Sequence, residues 1–300
     1  MKSQAFGGVN SSSPFRRAIL QSPAFHVFKS SSQQESYLQG FLALLNVSTV
    51  AAARTLPSSD LIGANTAQNA ANVYGDFMYG PVIDGSLVPN LPGLLLSSGQ
   101  FDHSVEVMVG HNADEGALFT YPAITTSADF NASVSRWFPV QNNSTLEYIE
   151  STLYPPVFDG TQPYTNNLDR AVLMSAEMII TCNTFYLNIA FNNLTHAYLF
   201  ATLLALHASD LVYTFYNGPY DASANTASFN ATVATALQDY ITSFAMHGIP
   251  TTDIEEVPVF TIYGKGAAIL DLNSTGISEM TDPMANDRCR WWQLGLYVMN

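Results

Sequence analysis

The 300 residues hold 47 % hydrophobic and 12 % aromatic side chains against 11 % charged ones, enough apolar surface to offset chain entropy, which excludes a disordered tail. With 24 acidic residues against 10 Lys and Arg, the formal net charge is −14; such a surface repels phosphate, which excludes nucleic-acid binding. No repeat, low-complexity tract or linker divides the chain, so 1–300 reads as one domain.

In chain order, Arg17–Ser22 (RAILQS) predicts a short buried strand ending at the Pro23 turn. A helix follows, with Ser32 and Glu35 at capping-box spacing and Leu38, Phe41, Leu42 and Leu45 on one face. Short helical pieces broken by Pro57 and Gly63 run to about residue 72, and Tyr79–Pro89 is extended. Val105–Val109 (VEVMV) has the continuous apolar pattern of a strand buried on both faces of a parallel sheet. Residues 127–155 read as helical, with a second capping box at Ser144 and Glu147.

Leu168–Asn192 reads as one long helix. Its apolar stretch is interrupted by Glu177, Asn183 and Asn188, so it is expected to be a buried amphipathic helix and not a membrane span. Ala197–Leu204 is the next strand, Ala231–His247 is a helix stopped by Gly248 and Pro250, and Val259–Tyr263 with Ala268–Leu272 form an expected terminal pair of strands. Strands alternating with helices argue an α/β fold.

Cys182 and Cys289 cannot make a zinc site alone, and without C-x-x-C they leave either one disulfide or two buried thiols. Few lysines and N-x-[ST] sequons at Asn10, Asn46, Asn131, Asn142, Asn143, Asn193, Asn230 and Asn273 point to a secreted glycoprotein. The first twenty residues lack an apolar h-region and a small-residue cleavage site, so no secretory signal is read in this chain; either the protein is cytosolic or its beginning is missing.

The stretch VGHNADEGALF (109–119) sets Asp114 and Glu115 side by side between apolar runs. Glu115 lies just beyond one predicted strand and His207 just beyond another, where α/β proteins collect functional groups. A carboxylate bonded to one imidazole nitrogen leaves the other free to take a proton from a hydroxyl nucleophile. A His and a Glu at strand ends occur in many proteins, so from spacing alone a solvated turn for Asp114 and Glu115 and a satisfied core histidine for His207 remain open. Metal binding is not expected: the pattern D-x-[DN]-x-[DN]-G is absent, and His103, His111 and Glu115 lack helical zinc spacing.

Several stretches together carry a resemblance. They are PFRRAILQSP (14–23), the run 79–119 ending in G-x-N-x-D-E-G-x-x-F, LHASDLVYTF (206–215), ITSFAMHGIPT (241–251) and CRWW (289–292). In this order they resemble the type B carboxylesterase family, the cholinesterase and fungal lipase group of α/β-hydrolases. The resemblance implies the C-terminal half of an α/β-hydrolase sheet with its covering helices. It makes Glu115 the triad acid and His207 the general base of a Ser-His-Glu carboxylic ester hydrolase. Asp114 becomes a neighbour that shapes the loop, Asp210 a hydrogen-bonding partner near the histidine, and Ser22 a polar residue of the site's outer shell. It also implies a Cys182–Cys289 disulfide, no cofactor, a small-molecule or lipid ester substrate, and an extracellular full-length protein; the sequons expected to carry glycans are those at Asn46, Asn131, Asn143, Asn193, Asn230 and Asn273.

In such enzymes the serine precedes the acid and sits on a G-x-S-x-G elbow. That motif is absent here, and against the family pattern Met1 falls within the helix after the elbow, so the nucleophile is expected upstream of Met1. The chain alone is then expected to be inactive, with Arg17–Ser22 left as an uncovered sheet edge. Ser11–Ser13, Ser22, Ser209 and Ser243 all lack the strained strand-to-helix turn; Ser209, beside the histidine, is the one worth mutating. The alternative is a non-catalytic binding or adhesion domain.

Overall fold

β-Branched and apolar runs alternate with helices to give a five-stranded sheet in a computed structural model that describes residues 13–25, 31–86, 88–138, 141–202, 204–218 and 229–297. The strands are β1 (Arg17–Gln21), β2 (Glu106–Asn112), β3 (His196–Ala201), β4 (Ala268–Asn273) and β5 (Gly276–Thr281), neighbours in that order. β1 to β4 are parallel; β4 and β5 form an antiparallel hairpin. Among the described residues β1 pairs on one side only, and its five residues are all half-buried, whereas six of the seven in β2 are buried.

Side chains alternate across the sheet as strand geometry requires. Val107 and Val109 join a core with the Cys182–Ala190 helix, while Met108 packs with Leu237, Tyr240 and Phe244 of the Ala231–His247 helix. Gly248, at φ 77°, closes that last helix in the left-handed conformation, as the sequence predicted.

Several expectations are corrected. The Leu168–Asn192 helix is interrupted: helices Asn167–Ala176 and Cys182–Ala190 flank a π-helical turn, Glu177–Thr181, whose wider winding coincides with the fully buried Glu177 carboxylate. Asn142, not Ser144, caps the helix Asn143–Tyr148, because its Oδ1 accepts the Thr145 N–H at 2.9 Å. Ser32 lies inside the helix Ser31–Leu44, whose cap falls outside the described residues. Val259–Tyr263 is not a strand: its buried residues, Phe260 and Tyr263, are three apart, out of step with a pleat, and β4 pairs with β5 instead. The strand predicted to reach Leu204 ends at Ala201, and Leu204 and Ala205 turn away at φ 69° and 35°.

Among the described residues, one helical stretch, Asn167–Ala190, is long and apolar enough to cross a membrane, and 83 % of its most apolar window is buried inside the fold. Of the sequons, Asn46, Asn142 and Asn143 are exposed and Asn131, Asn193, Asn230 and Asn273 half-buried; Asn10 lies outside the described residues.

Candidate active site

The acid turn begins where β2 runs out. Ala113 N–H donates to the Phe200 carbonyl at 2.9 Å and Asp114 N–H to the Ala205 carbonyl at 2.9 Å, and Asp114 bridges Leu206 in parallel fashion. The turn is thereby strapped to the residues that precede His207. Gly116 follows because the turn presses on the Asn167–Ala176 helix: a β-carbon there would lie 2.0 Å from the Val172 carbonyl oxygen.

This strapping brings Glu115 Oε2 to 2.5 Å from His207 Nδ1. Glu115 is fully buried, while the His207 side chain keeps 33 % exposure. The other carboxylate oxygen, Oε1, accepts from Ser22 Oγ at 2.6 Å, from the Asn112 N–H at 2.6 Å and from Asn112 Nδ2 at 3.1 Å. Ser22, held at φ 52° by its N–H bond to the Gly110 carbonyl, reaches the acid from the end of β1. Leu204, Ala205 and Ala208 all have positive φ, so the histidine sits in a loop of sparsely populated backbone conformations. Phe119 meets the imidazole edge-on, ring centroids 5.1 Å apart.

Electrostatics follow the contacts. Burial pushes Glu115 up, but the hydrogen bonds from His207, Ser22 and Asn112 outweigh it and hold the carboxyl below its ordinary value. The hydrogen bond to Glu115 raises His207 above the usual histidine value against the opposing effect of partial burial. The pair is therefore disposed to hold a proton on the imidazole.

Asp210 is buried near the histidine but does not bond to it; its partners are Asn112, Tyr198 and Gln21. Burial raises its carboxyl. Asp114 is half-buried at the loop surface, and burial raises it too, with Asp169 and Glu115 adding to the effect. Ser243 Oγ is bonded to the Asp239 carbonyl and the Thr251 N–H at the end of a helix, away from the site. Ser11 and Ser12 lie outside the described residues. His103 meets the Gly99 carbonyl and the buried His111 meets Thr184 Oγ1, so the three residues weighed for a metal have separate partners.

Cys182 and Cys289, both fully buried, form a disulfide that joins the Cys182–Ala190 and Asp287–Gln293 helices, settling the choice that composition left open. Sequence reasoning gave no role to Asn112, Gln21, Tyr198 or Phe119. Asn112 and Phe119 were fixed letters of the acid motif, and Gln21 was a polar residue ending an apolar strand.

A sheet of this order with helices on both faces, a carboxylate after β2 and its histidine after β3, defines an α/β-hydrolase fold. The solved structure of EstA from Aspergillus niger is similar to it with a TM-score of 0.75, covering 93 % of this chain and 58 % of that one at 20 % identity. The model of the carboxylesterase family matches residues 9–292, and the chain belongs to that family. Carboxylesterase patB of Penicillium expansum is 36 % identical over 281 residues, 93 % of this chain and 49 % of that protein. The carboxylesterase patB of Aspergillus clavatus is 36 % identical over 284 residues, 94 % of this chain and 50 % of that one. The chain spans about half the length of the curated relatives it matches.

Proposed function

We propose that the chain carries the acid and the general base of a carboxylic ester hydrolase working through an acyl-enzyme. What supports this is the 2.5 Å contact between Glu115 Oε2 and His207 Nδ1 on a half-exposed ring. Glu115 fixes the tautomer, leaving Nε2 to take the proton of a serine hydroxyl as that oxygen attacks the ester carbonyl. The imidazolium, stabilised by Glu115, returns the proton to the departing alkoxide. Water then repeats the cycle on the acyl-enzyme.

In this reading residues 1–300 are part of one carboxylesterase domain and the serine lies upstream of Met1. Ser22 Oγ is engaged by Glu115, and Ser209 sits on no strand-to-helix elbow. The substrate is a small-molecule or lipid ester, and no cofactor takes part. The Cys182–Cys289 bond supports an extracellular location, where disulfides persist, with N-glycans at the sequons, of which Asn46 and Asn143 are exposed.

The test is hydrolysis of a short-chain nitrophenyl ester by the purified 300-residue chain and by a form extended upstream through a G-x-S-x-G. The extended form is expected to turn over and to lose activity with His207→Ala, while the short form is silent. Turnover by the short form, abolished by the same substitution, would overturn the placement of the serine. A folded extended form without activity would favour the non-catalytic binding role.

A further inference from the structure

Two buried carboxylates share one amide beneath His207. Asn112, the last residue of β2, is fully buried. Its Oδ1 accepts the Asp210 backbone N–H at 3.2 Å, and because that N–H can only donate, the other end of the amide is fixed as the donor Nδ2. Nδ2 lies 3.1 Å from Glu115 Oε1, 3.3 Å from Asp210 Oδ1 and 3.2 Å from Ser22 Oγ. The Asn112 backbone N–H adds the 2.6 Å bond to the same Glu115 oxygen. One residue therefore holds the acid through main chain and side chain, and grips the chain three residues past the histidine.

Asp210 is itself anchored. Its Oδ2 accepts from Tyr198 OH at 3.1 Å and from Gln21 Nε2 at 3.1 Å, and Gln21 Nε2 also lies 3.0 Å from Tyr198 OH and 2.9 Å from Thr214 Oγ1. β1 and β2 contribute their last residues, Gln21 and Asn112, to this network, and β3 contributes Tyr198 from its middle. His207 hangs from the loop between the network and Glu115. Hydrogen bonds to charged acceptors are the strong ones, and a donor between two like charges offsets part of their repulsion.

We propose that Asn112 is the positioning residue of this site, setting the approach of Glu115 to His207 by tying the acid turn to Asp210, which Gln21 and Tyr198 hold in place. The inference rests on reading Glu115 and His207 as the acid and base. Asn112 makes no hydrogen bond to the imidazole; it acts through its two carboxylate neighbours. Replacing it with Leu keeps the branched, four-heavy-atom side chain but removes both donor and acceptor, leaving the Asp210 N–H without a partner.

The test uses proton NMR of the histidine-labelled 300-residue chain, reading the His207 Nδ1–H resonance and the pH midpoint of the ring. The wild-type chain is expected to show a strongly deshielded Nδ1–H that His207→Gln removes. Asn112→Leu should abolish that resonance and bring the midpoint down toward the ordinary 6.5. Arg288→Met, which weakens the fold without removing any hydrogen bond of this network, should leave the resonance in place. Asn112→Ala, which removes the same donor and acceptor without adding bulk, decides the matter if Asn112→Leu does not fold. A resonance that persists in either folded variant overturns the positioning role while leaving the acid–base pair intact. A wild-type chain without the resonance removes the pair itself, and the positioning role with it.

Discussion

The ring of Tyr198 fills the space that a β-carbon on Gly110 would occupy, 2.1 Å from the ring's Cζ. The two residues are register partners on β2 and β3, and the close approach lets the Tyr198 hydroxyl pass over β2 to Asp210. Gly110→Ala is therefore expected to cost about 3 kcal/mol, at the upper end of the range for overpacking, because the ring can withdraw only by breaking its bond to Asp210. Urea unfolding of Gly110→Ala, Tyr198→Leu and the double variant should show a coupling on the order of 1 kcal/mol or more. Additive effects would place the ring elsewhere.

Stability should depend on pH through the same pair. His207 is raised above 6.5 in the folded chain, so its contribution is complete below 6.5 and is lost as pH rises through the raised value. Glu115 is lowered below 4.5, so its contribution is complete above 4.5 and is lost as pH falls through the lowered value. Both act together between 4.5 and 6.5. Unfolding free energies measured across that window and into alkaline pH should fall on the alkaline side in the wild type, and His207→Gln should flatten that limb. An alkaline limb identical in the variant would mean that His207 titrates as it does unfolded.

How far the sequence could be read depended on whether a feature is local. VEVMV, the Asp114–Glu115 turn and the His207 loop were legible because each is a short run with a physical period or a motif. The bond from Asn112 to Asp210 joins residues 98 apart, and no local pattern encodes it. β5 was missed because Ser278, Glu279 and Thr281 are exposed beside half-buried Ile277 and Met280, so no alternation marks it as a strand. The π turn at Glu177 was hidden by apolar residues that suit an α-helix equally well; what distinguishes it is a carboxylate whose partner, Arg288, lies 111 residues later.

The Cys182–Cys289 bond closes a chain segment with a sequence separation of 107. In the chain-entropy account a loop of about 100 residues contributes roughly 4.7 kcal/mol by restricting the unfolded ensemble. Both cysteines are fully buried, so Ser at either position would also place a hydroxyl in an apolar core. The Cys182→Ala/Cys289→Ala variant isolates the cross-link and is expected to lose about 2–5 kcal/mol. With reductant, the wild-type denaturant midpoint should fall to the variant's value, and the variant's own midpoint should not move. A reduced wild type as stable as the oxidised protein would contradict this.

Beside the disulfide, Glu177 is fully buried and accepts from Arg288 Nε at 2.7 Å and Nη2 at 2.7 Å, from Tyr154 OH at 2.6 Å and from Asn286 Nδ2 at 3.3 Å. The pair ties the π turn to the helix Asp287–Gln293, one residue from Cys289. Removing only the cation strands a buried carboxylate, so Arg288→Met is expected to cost about 3–5 kcal/mol. Replacing both charges with residues of similar volume avoids that penalty. Glu177→Gln/Arg288→Met should therefore be more stable than Arg288→Met alone, even though it carries one substitution more. Urea unfolding of the two single variants and the double variant, with the disulfide intact, gives the comparison directly. A double variant less stable than Arg288→Met would mean that the Glu177 carboxylate remains satisfied without its arginine, by Tyr154, Asn286 and water.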